Sequence, residues 1–157
     1  MDWLVSVHRF ADRVWVIRNE KTDVGHFMLR LPPMLVDPPQ DPESVGRCIR
    51  EAASQMRGGI PHEHDPRFNS KLARSFKAKT YKQFQRDTDL VQVDSRDGVI
   101  NVMAWMEAPD GRGWVPLEPE YNVDLPDSAS DADLGQAVLD ACDASSAVKP
   151  GLDPTAR

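Results

Sequence analysis

The stretch "SDADLGQAVLDACDAS" is rich in helix-forming residues, yet Gly135 sits near its first turn. A glycine there costs about 1 kcal/mol relative to alanine. The same choice recurs in "PESVGRCIREAAS", where Gly46 stands in the same relation to its apolar neighbours. Val45-Gly46-x-x-Ile49-x-x-Ala52 aligns with Leu134-Gly135-x-x-Val138-x-x-Ala141 at an offset of 89 residues. A residue that weakens a helix at two matching places constrains packing, because each glycine lets its helix lie close to another surface. The expected surface is a sheet. Coincidence between two ordinary helices is the competing reading, since only four positions match.

The flanks identify both stretches as helices. Asp41 is a candidate N-cap, Pro42 fits the first helical position and Glu43 adds an acid to the first turn. Val45, Ile49, Ala52, Ala53 and Met56 follow as one apolar stripe, and Gly58-Gly59 supplies the stop. In the later stretch Ser130 and Asp133 resemble a capping box, and Leu134, Ala137, Val138 and Ala141 form the stripe.

Elsewhere the periodicity is mostly that of strands. Residues 3–7 and 14–17 read as two strands, and Phe27, Leu29 and Leu31 alternate in a third. "PPMLVDPPQDP" is too rich in proline for a helix or a central strand and reads as an extended connection. "GGIPHEHDPRFNS" is a loop, and "KLARSFKAKTYKQFQRD" reads as one helix with an imperfect stripe. After Asp89 period two returns in a meander, with tight turns at Asp97-Gly98 and Asp110-Gly111. The order of elements predicts an α+β fold: a single domain with a central, largely antiparallel sheet and two to three packed helices. Residues 1–143 form that domain, and residues 144–157 are expected to be a disordered tail.

At 157 residues, 40% hydrophobic and 28% charged, the chain has the composition of a soluble globular protein with one core. No apolar run approaches the ~20 residues that span a bilayer. The start, "MDWLVSVHRF", lacks the features of a secretory signal. Cys48 and Cys142 both fall in predicted helices, which suits buried thiols in the cytosol rather than a disulfide framework. The net charge of −6 is unevenly spread. Residues 1–86 carry 15 basic and 10 acidic side chains, whereas residues 87–157 carry 4 and 15. A long acidic half argues against binding nucleic acid over the whole surface and suits a basic protein partner. Solubility alone is the plainer explanation.

Two clusters invite a chemical reading. "PHEHD" places His62 and His64 two residues apart beside Glu63 and Asp65, which would suit a metal-dependent hydrolase using His62, His64 and Asp65. A metal site needs three or four converging ligands with a supporting shell, and His8 and His26 add no recognisable spacing. Residues 67–86 interleave seven cations with Phe68, Phe76, Tyr81 and Phe84, the pattern of an RNA-binding module. The plainer reading is a solvated helix whose rings face the core. The chain has no Gly-rich phosphate loop, nucleophile elbow or CxxC pair.

"ARSFKAKTYKQF", "LVQVDSRDGVINVMAWM", "GRGWVPL" and "LPDSASDADLGQAVLDACDAS", in that order, resemble the immunity proteins of bacterial contact-dependent growth inhibition systems. The resemblance spans roughly residues 74–145, with echoes around "VGRCIREAAS". It implies a cytoplasmic non-enzyme, without catalytic residues, metal or cofactor. Such a protein binds the toxin domain of a large exported protein and blocks it. Many such toxins are nucleases, whose basic substrate surface an acidic inhibitor can occupy.

On that reading the glycines belong to the scaffold, and recognition lies on acidic loops. Asp87, Asp89, Asp94, Asp97, Asp110, Glu118 and Glu120 fall at strand ends or turns of the meander, where side chains are usually exposed. Alternate turns of a meander emerge on one edge, so several of these acids are expected to gather into a single toxin-binding patch.

Overall fold

The computed structural model describes residues 2–149. It begins with two long strands, β1 (Trp3–Phe10) and β2 (Arg13–Lys21). The turn between them holds Ala11 and Asp12 at φ 52° and 60°. That left-handed pair matches the right-handed twist of the strands it joins. β5 (Asp89–Arg96) and β6 (Val99–Glu107) form a second hairpin across Asp97-Gly98, at φ 49° and 80° as an Asp-Gly turn requires. The hairpins join through β1 and β5, which pair antiparallel with Val5 opposite Val93 and Val7 opposite Val91.

Four shorter strands complete the sheet. β3 (Phe27–Leu29) and β4 (Met34–Leu35) pair with successive parts of β2. β7 (Trp114–Pro116) and β8 (Asn122–Pro126) pair with successive parts of β6. Every pairing between these strands is antiparallel, and the longest path through the sheet runs β3-β2-β1-β5-β6-β7. The expected α+β domain with a central antiparallel sheet is the one observed.

The alternation of side chains gives the sheet two buried faces. On one face Val5, Val7, Val91, Val93, Ile100 and Val102 pack against α1 (Pro42–Ser54) and α4 (Asp131–Ala147). On the other, Phe10 and Ile17 meet Leu72 of α2 (Phe68–Ser75), Phe76 just after it and Phe84 of α3 (Tyr81–Asp87). The result is a helix–sheet–helix sandwich with two separate cores.

The caps read from sequence are present. Asp41 accepts from Ser44 N at 3.1 Å, and Ser130 Oγ accepts from Asp133 N at 3.0 Å. The glycines do permit a close approach, but the neighbour differs from expectation. A Cβ on Gly46 would lie 2.6 Å from the backbone carbon of Asp131, and one on Gly135 would lie 2.5 Å from that of Pro42. The contact is therefore helix on helix. Each glycine receives the first residue of the other helix, and the offset of 89 residues also relates Pro42 to Asp131. The two matching patterns are the two halves of one crossing.

Four other expectations change. The stretch expected as one helix is two, because Lys77 turns the chain at φ 59° and Thr80 caps a new start. Within the proline-rich connection, Met34 and Leu35 pair with β2, an edge position that tolerates neighbouring prolines. The third strand stops at Leu29, before Leu31. Finally, α4 extends to Ala147, four residues into the expected tail, because Ser145 is buried and bonded to the sheet. Its Oγ donates to the Trp105 carbonyl at 2.6 Å and accepts from Leu90 N at 3.3 Å. Residues 150–157 of that tail lie outside the described residues.

Candidate functional site

The acids expected to share one edge of the meander occupy both ends of it. Leu90 pairs with Trp105 and Arg96 with Val99, so the start of β5 lies beside the end of β6. Asp87, Asp89 and Asp110 therefore stand at one end, and Asp94 and Asp97 at the other. Asp89 is also buried rather than exposed, at 5% of its full accessibility. Arg9 and Lys149 each hold one of its carboxylate oxygens at 2.8 Å, which is how a buried charge is tolerated. Asp87 pairs with Arg86 at 2.9 Å, and that hydrogen bond holds its carboxyl below the usual range. Asp110 closes its own turn by accepting from Arg112 N at 2.9 Å. Glu118 is exposed before a 3-10 turn (Pro119–Tyr121) that contains Glu120 and leads into β8.

At the other end the structure adds acids that the reading of the meander passed over. Asp94 is half-buried on β5, with Arg96 3.6 Å away. Burial raises its carboxyl pKa, Arg96 lowers it, and the nearby carboxylates of Asp124 and Asp2 raise it again. Asp124 lies opposite Asn101 across β8 and β6 and accepts from its amide at 2.7 Å. Asp127 follows β8 and accepts from Ser95 Oγ at 2.8 Å.

Asp94, Asn101 and Asp124 share the sheet face away from α4, and α4 adds acids on the other side of β8. Asp133 closes the capping box with Ser130, and Asp140 accepts from Gln136 at 2.8 Å. Neither Asp133 nor Asp140 pairs with a cation among the described residues, and the same holds for Asp97, Asp124 and Asp127. Between β8 and α4 runs a groove of about 430 Å³ floored by Val123, Leu125, Ala137 and Ala141, with Asp133 and Asp140 along it. β8 has a strand on one side only, so its outer backbone edge is free among the described residues. Arg50 of α1 fixes the entrance: it pairs with Asp131 at 2.9 Å and donates to the carbonyls of Ala129 and Asp127 at 2.5 and 3.3 Å.

A simple signal was present for this face. Residues 113–148 contain eight acids and no lysine, arginine or histidine. Comparing whole halves of the chain diluted it, and attention to turns missed the helix. An apolar groove with acids along its helical side, further acids across β8 and a free strand edge is suited to docking a basic protein surface.

The other two clusters have structural employment. Asp65 is engaged by Lys71 at 2.6 Å and by Arg67 N at 2.9 Å, and the His62 ring packs edge-on against His26 at 5.5 Å. No three metal-ligating side chains converge among the described residues. Phe76 and Phe84 turn inward at 3% and 0% exposure, while Arg67, Arg74, Lys77, Lys79 and Lys82 are exposed. No described helix is long and apolar enough to cross a membrane.

A sequence model of the family described as "CDI immunity protein" matches residues 5–145. No curated protein matches the chain by sequence. Two solved structures share its fold at low identity. A protein of unknown function from Neisseria meningitidis superposes with a TM-score of 0.72 at 13% identity, covering 90% of this chain and 93% of that one. A chain of the CdiA-CT/CdiI toxin and immunity complex from Yersinia pseudotuberculosis superposes with a TM-score of 0.68 at 16% identity, covering 90% and 98%.

Proposed function

The chain belongs to the CDI immunity protein family, and from that premise we propose that it binds and neutralises the toxin domain of a contact-dependent growth inhibition system through the acidic face along β8 and α4. The toxin domain is the C-terminal part of a large exported protein, and the immunity protein meets it in the cytoplasm. It blocks the toxin by occupying its surface and performs no reaction of its own. The Yersinia pseudotuberculosis toxin and immunity complex, one chain of which has a similar fold, supports this reading.

The carrying observation is that acids crowd the β8 side of the sheet: Asp133 and Asp140 beside the apolar groove on the α4 face, Asp94 and Asp124 on the opposite face, and Asp97 and Asp127 at the turns next to β8. A nuclease is the toxin class that such a face fits best. Its active surface must attract phosphodiesters and is therefore basic, so an acidic inhibitor competes for it directly. Opposite charge also raises association above the ~10⁵–10⁶ M⁻¹s⁻¹ of neutral partners, which suits an inhibitor that must act before the toxin does. Of the acids read from sequence, Asp94 and Asp97 lie at the β8 end of the β5–β6 hairpin, and Glu118 and Glu120 precede β8. Asp87 and Asp110 lie at the far end, and Asp89 is committed to its ion pairs.

Neutralising Asp97, Asp124 and Asp140 together as Asn tests the assignment. Association with the toxin domain, measured by stopped flow at two ionic strengths, should slow about tenfold or more at low salt and lose most of its salt dependence. Association as fast and as salt-sensitive as that of the unaltered protein places the contact elsewhere.

A further inference from the structure

The sheet face opposite α1 and α4 holds a feature that toxin binding leaves unused. Between β1, β2, β5, β6 and the pair α2–α3 lies a cavity of about 270 Å³. His8 lines it, only 3% exposed, with neither imidazole nitrogen hydrogen-bonded among the described residues. Phe76 and Phe84 flank its ring at 5.4 and 5.6 Å. Trp105 lines the same cavity, and its buried indole N–H is also without a partner among the described residues. Burial pushes the His8 pKa down to about 3, so at neutral pH the ring is uncharged and keeps one donor and one acceptor.

Buried polar groups without partners are rare in folded proteins, and two beside one cavity call for an occupant. The lining fixes its chemistry. Among the described residues no charged side chain lines the space, which disfavours a phosphate or carboxylate inside. Phe68, Tyr81 and Trp114 offer aromatic walls, and Gln92 adds an amide that both donates and accepts. A dry cavity of about 150 Å³ already accepts benzene, so this one admits a ring system of one or two rings.

We propose that this cavity binds an uncharged planar heterocycle presenting hydrogen-bond donor and acceptor together, the chemistry of a nucleobase. The base stacks against the aromatic wall and pairs with His8 and Trp105. Its sugar leaves by the mouth at Asn69, which is exposed. Arg67 and Lys82 are exposed and adjoin the wall residues Phe68 and Tyr81, so a phosphate attached to that sugar meets positive charge outside the cavity. This differs from stacking on exposed rings, because the aromatics of residues 67–86 here form the inside of a pocket.

Titration of the full chain with the four ribonucleosides, following the indole N–H resonances by NMR, tests the assignment. At least one nucleoside should shift the Trp105 indole signal saturably, and benzene should not match its affinity. His8→Phe keeps an aromatic ring between Phe76 and Phe84 and should weaken binding about tenfold, the worth of one hydrogen bond. Trp105→Phe tests the second contact without depending on how well the first variant folds. The same base arrives either as a free nucleoside or as an unpaired nucleotide of an RNA strand. Comparing uridine with a short oligouridylate, and each other base likewise, separates these sources, and binding of either supports the pocket. Failure of every nucleoside and oligonucleotide to bind overturns the proposal, leaving trapped water as the occupant. Binding equally strong in both variants, or matched by benzene, overturns it as well.

Discussion

Alanine at Gly46 or Gly135 isolates the crossing of α1 and α4. Replacing glycine by alanine in an exposed helix stabilises by about 1 kcal/mol, because the chain loses less entropy on folding. At these positions the added methyl meets backbone, the carbonyl group of Asp131 in one case and of Pro42 in the other. Ordinary contact lies at 3.4 Å or beyond, whereas the new Cβ falls within 2.6 Å of Asp131 C or 2.5 Å of Pro42 C. A side chain at that place could rotate away, but a capped helix N-terminus cannot. The carbonyl oxygens lie closer still, so the helices must separate by more than an ångström, which also opens gaps around Val45, Ile49, Leu134 and Val138, all fully buried. Overpacking costs typically about 1–3 kcal/mol, and rigid backbone on the receiving side argues for the upper end. After the propensity gain is subtracted, each alanine should destabilise by about 1–2 kcal/mol. Leucine, which adds volume to the same clash, should cost more. The double alanine variant should cost less than the sum, because the first methyl already parts the helices for the second. Urea denaturation followed by circular dichroism reads these values. Gly58→Ala, where nothing lies within 4 Å, is the control and should stay within about 0.5 kcal/mol of the parent. Unchanged or raised stability in both single variants would refute the crossing.

Further outcomes follow from other contacts. Ser145→Ala leaves the Leu90 amide and the Trp105 carbonyl without this partner and should cost about 1–3 kcal/mol in urea denaturation. His8 is neutral in the folded state down to about pH 3, while the unfolded chain protonates it near 6.5. Its contribution to stability is therefore whole above pH 6.5 and is lost as the pH falls from there, at up to about 1.4 kcal/mol per unit. His8→Phe should flatten that part of the pH–stability curve. The pKa of Asp94 is raised mainly by burial, so its charge opposes folding, increasingly as the pH rises through that pKa. Asp94→Asn should keep or raise the melting temperature at pH 7. His62→Ala with His64→Ala should leave protection from the toxin in cells intact, and loss of protection by a folded variant would reopen the metal reading.

Local chemistry made much of the fold legible. Caps at Asp41 and Ser130 and the Asp97-Gly98 turn depend on neighbours within four residues, and all three form as read. The glycine pattern identified the buried face of each helix, but a face does not name what it touches. Only the topology, which folds both helices onto one side of the sheet, shows that the glycines meet opposing helix ends. Lys77 carries no mark of a residue that will adopt a left-handed turn, so the break between α2 and α3 was hidden. The burial of Asp89 depends on Arg9 and Lys149, each at least 60 residues away in sequence. Its position beside a strand suggested exposure, and the partners decided otherwise. Most of the acidic face was hidden for a different reason. It unites β8 with α4, so no single periodicity runs through it.

The Arg50 bracket bears on how quickly and how variably this surface can be used. One guanidinium from the first helix ties down two carbonyls and a carboxylate at the entrance to the last helix. The bend that presents the acids is thus ordered before any toxin arrives, and little conformational freedom is left to lose on docking. The bracket also uses main-chain oxygens from residues 127 and 129, whose side chains can change without breaking it. Asp124 and Asp140 likewise hold nothing outside their own immediate surroundings. Recognition can therefore be rewritten, by exchanging exposed side chains to follow a changing toxin, while the framework that displays them stays fixed.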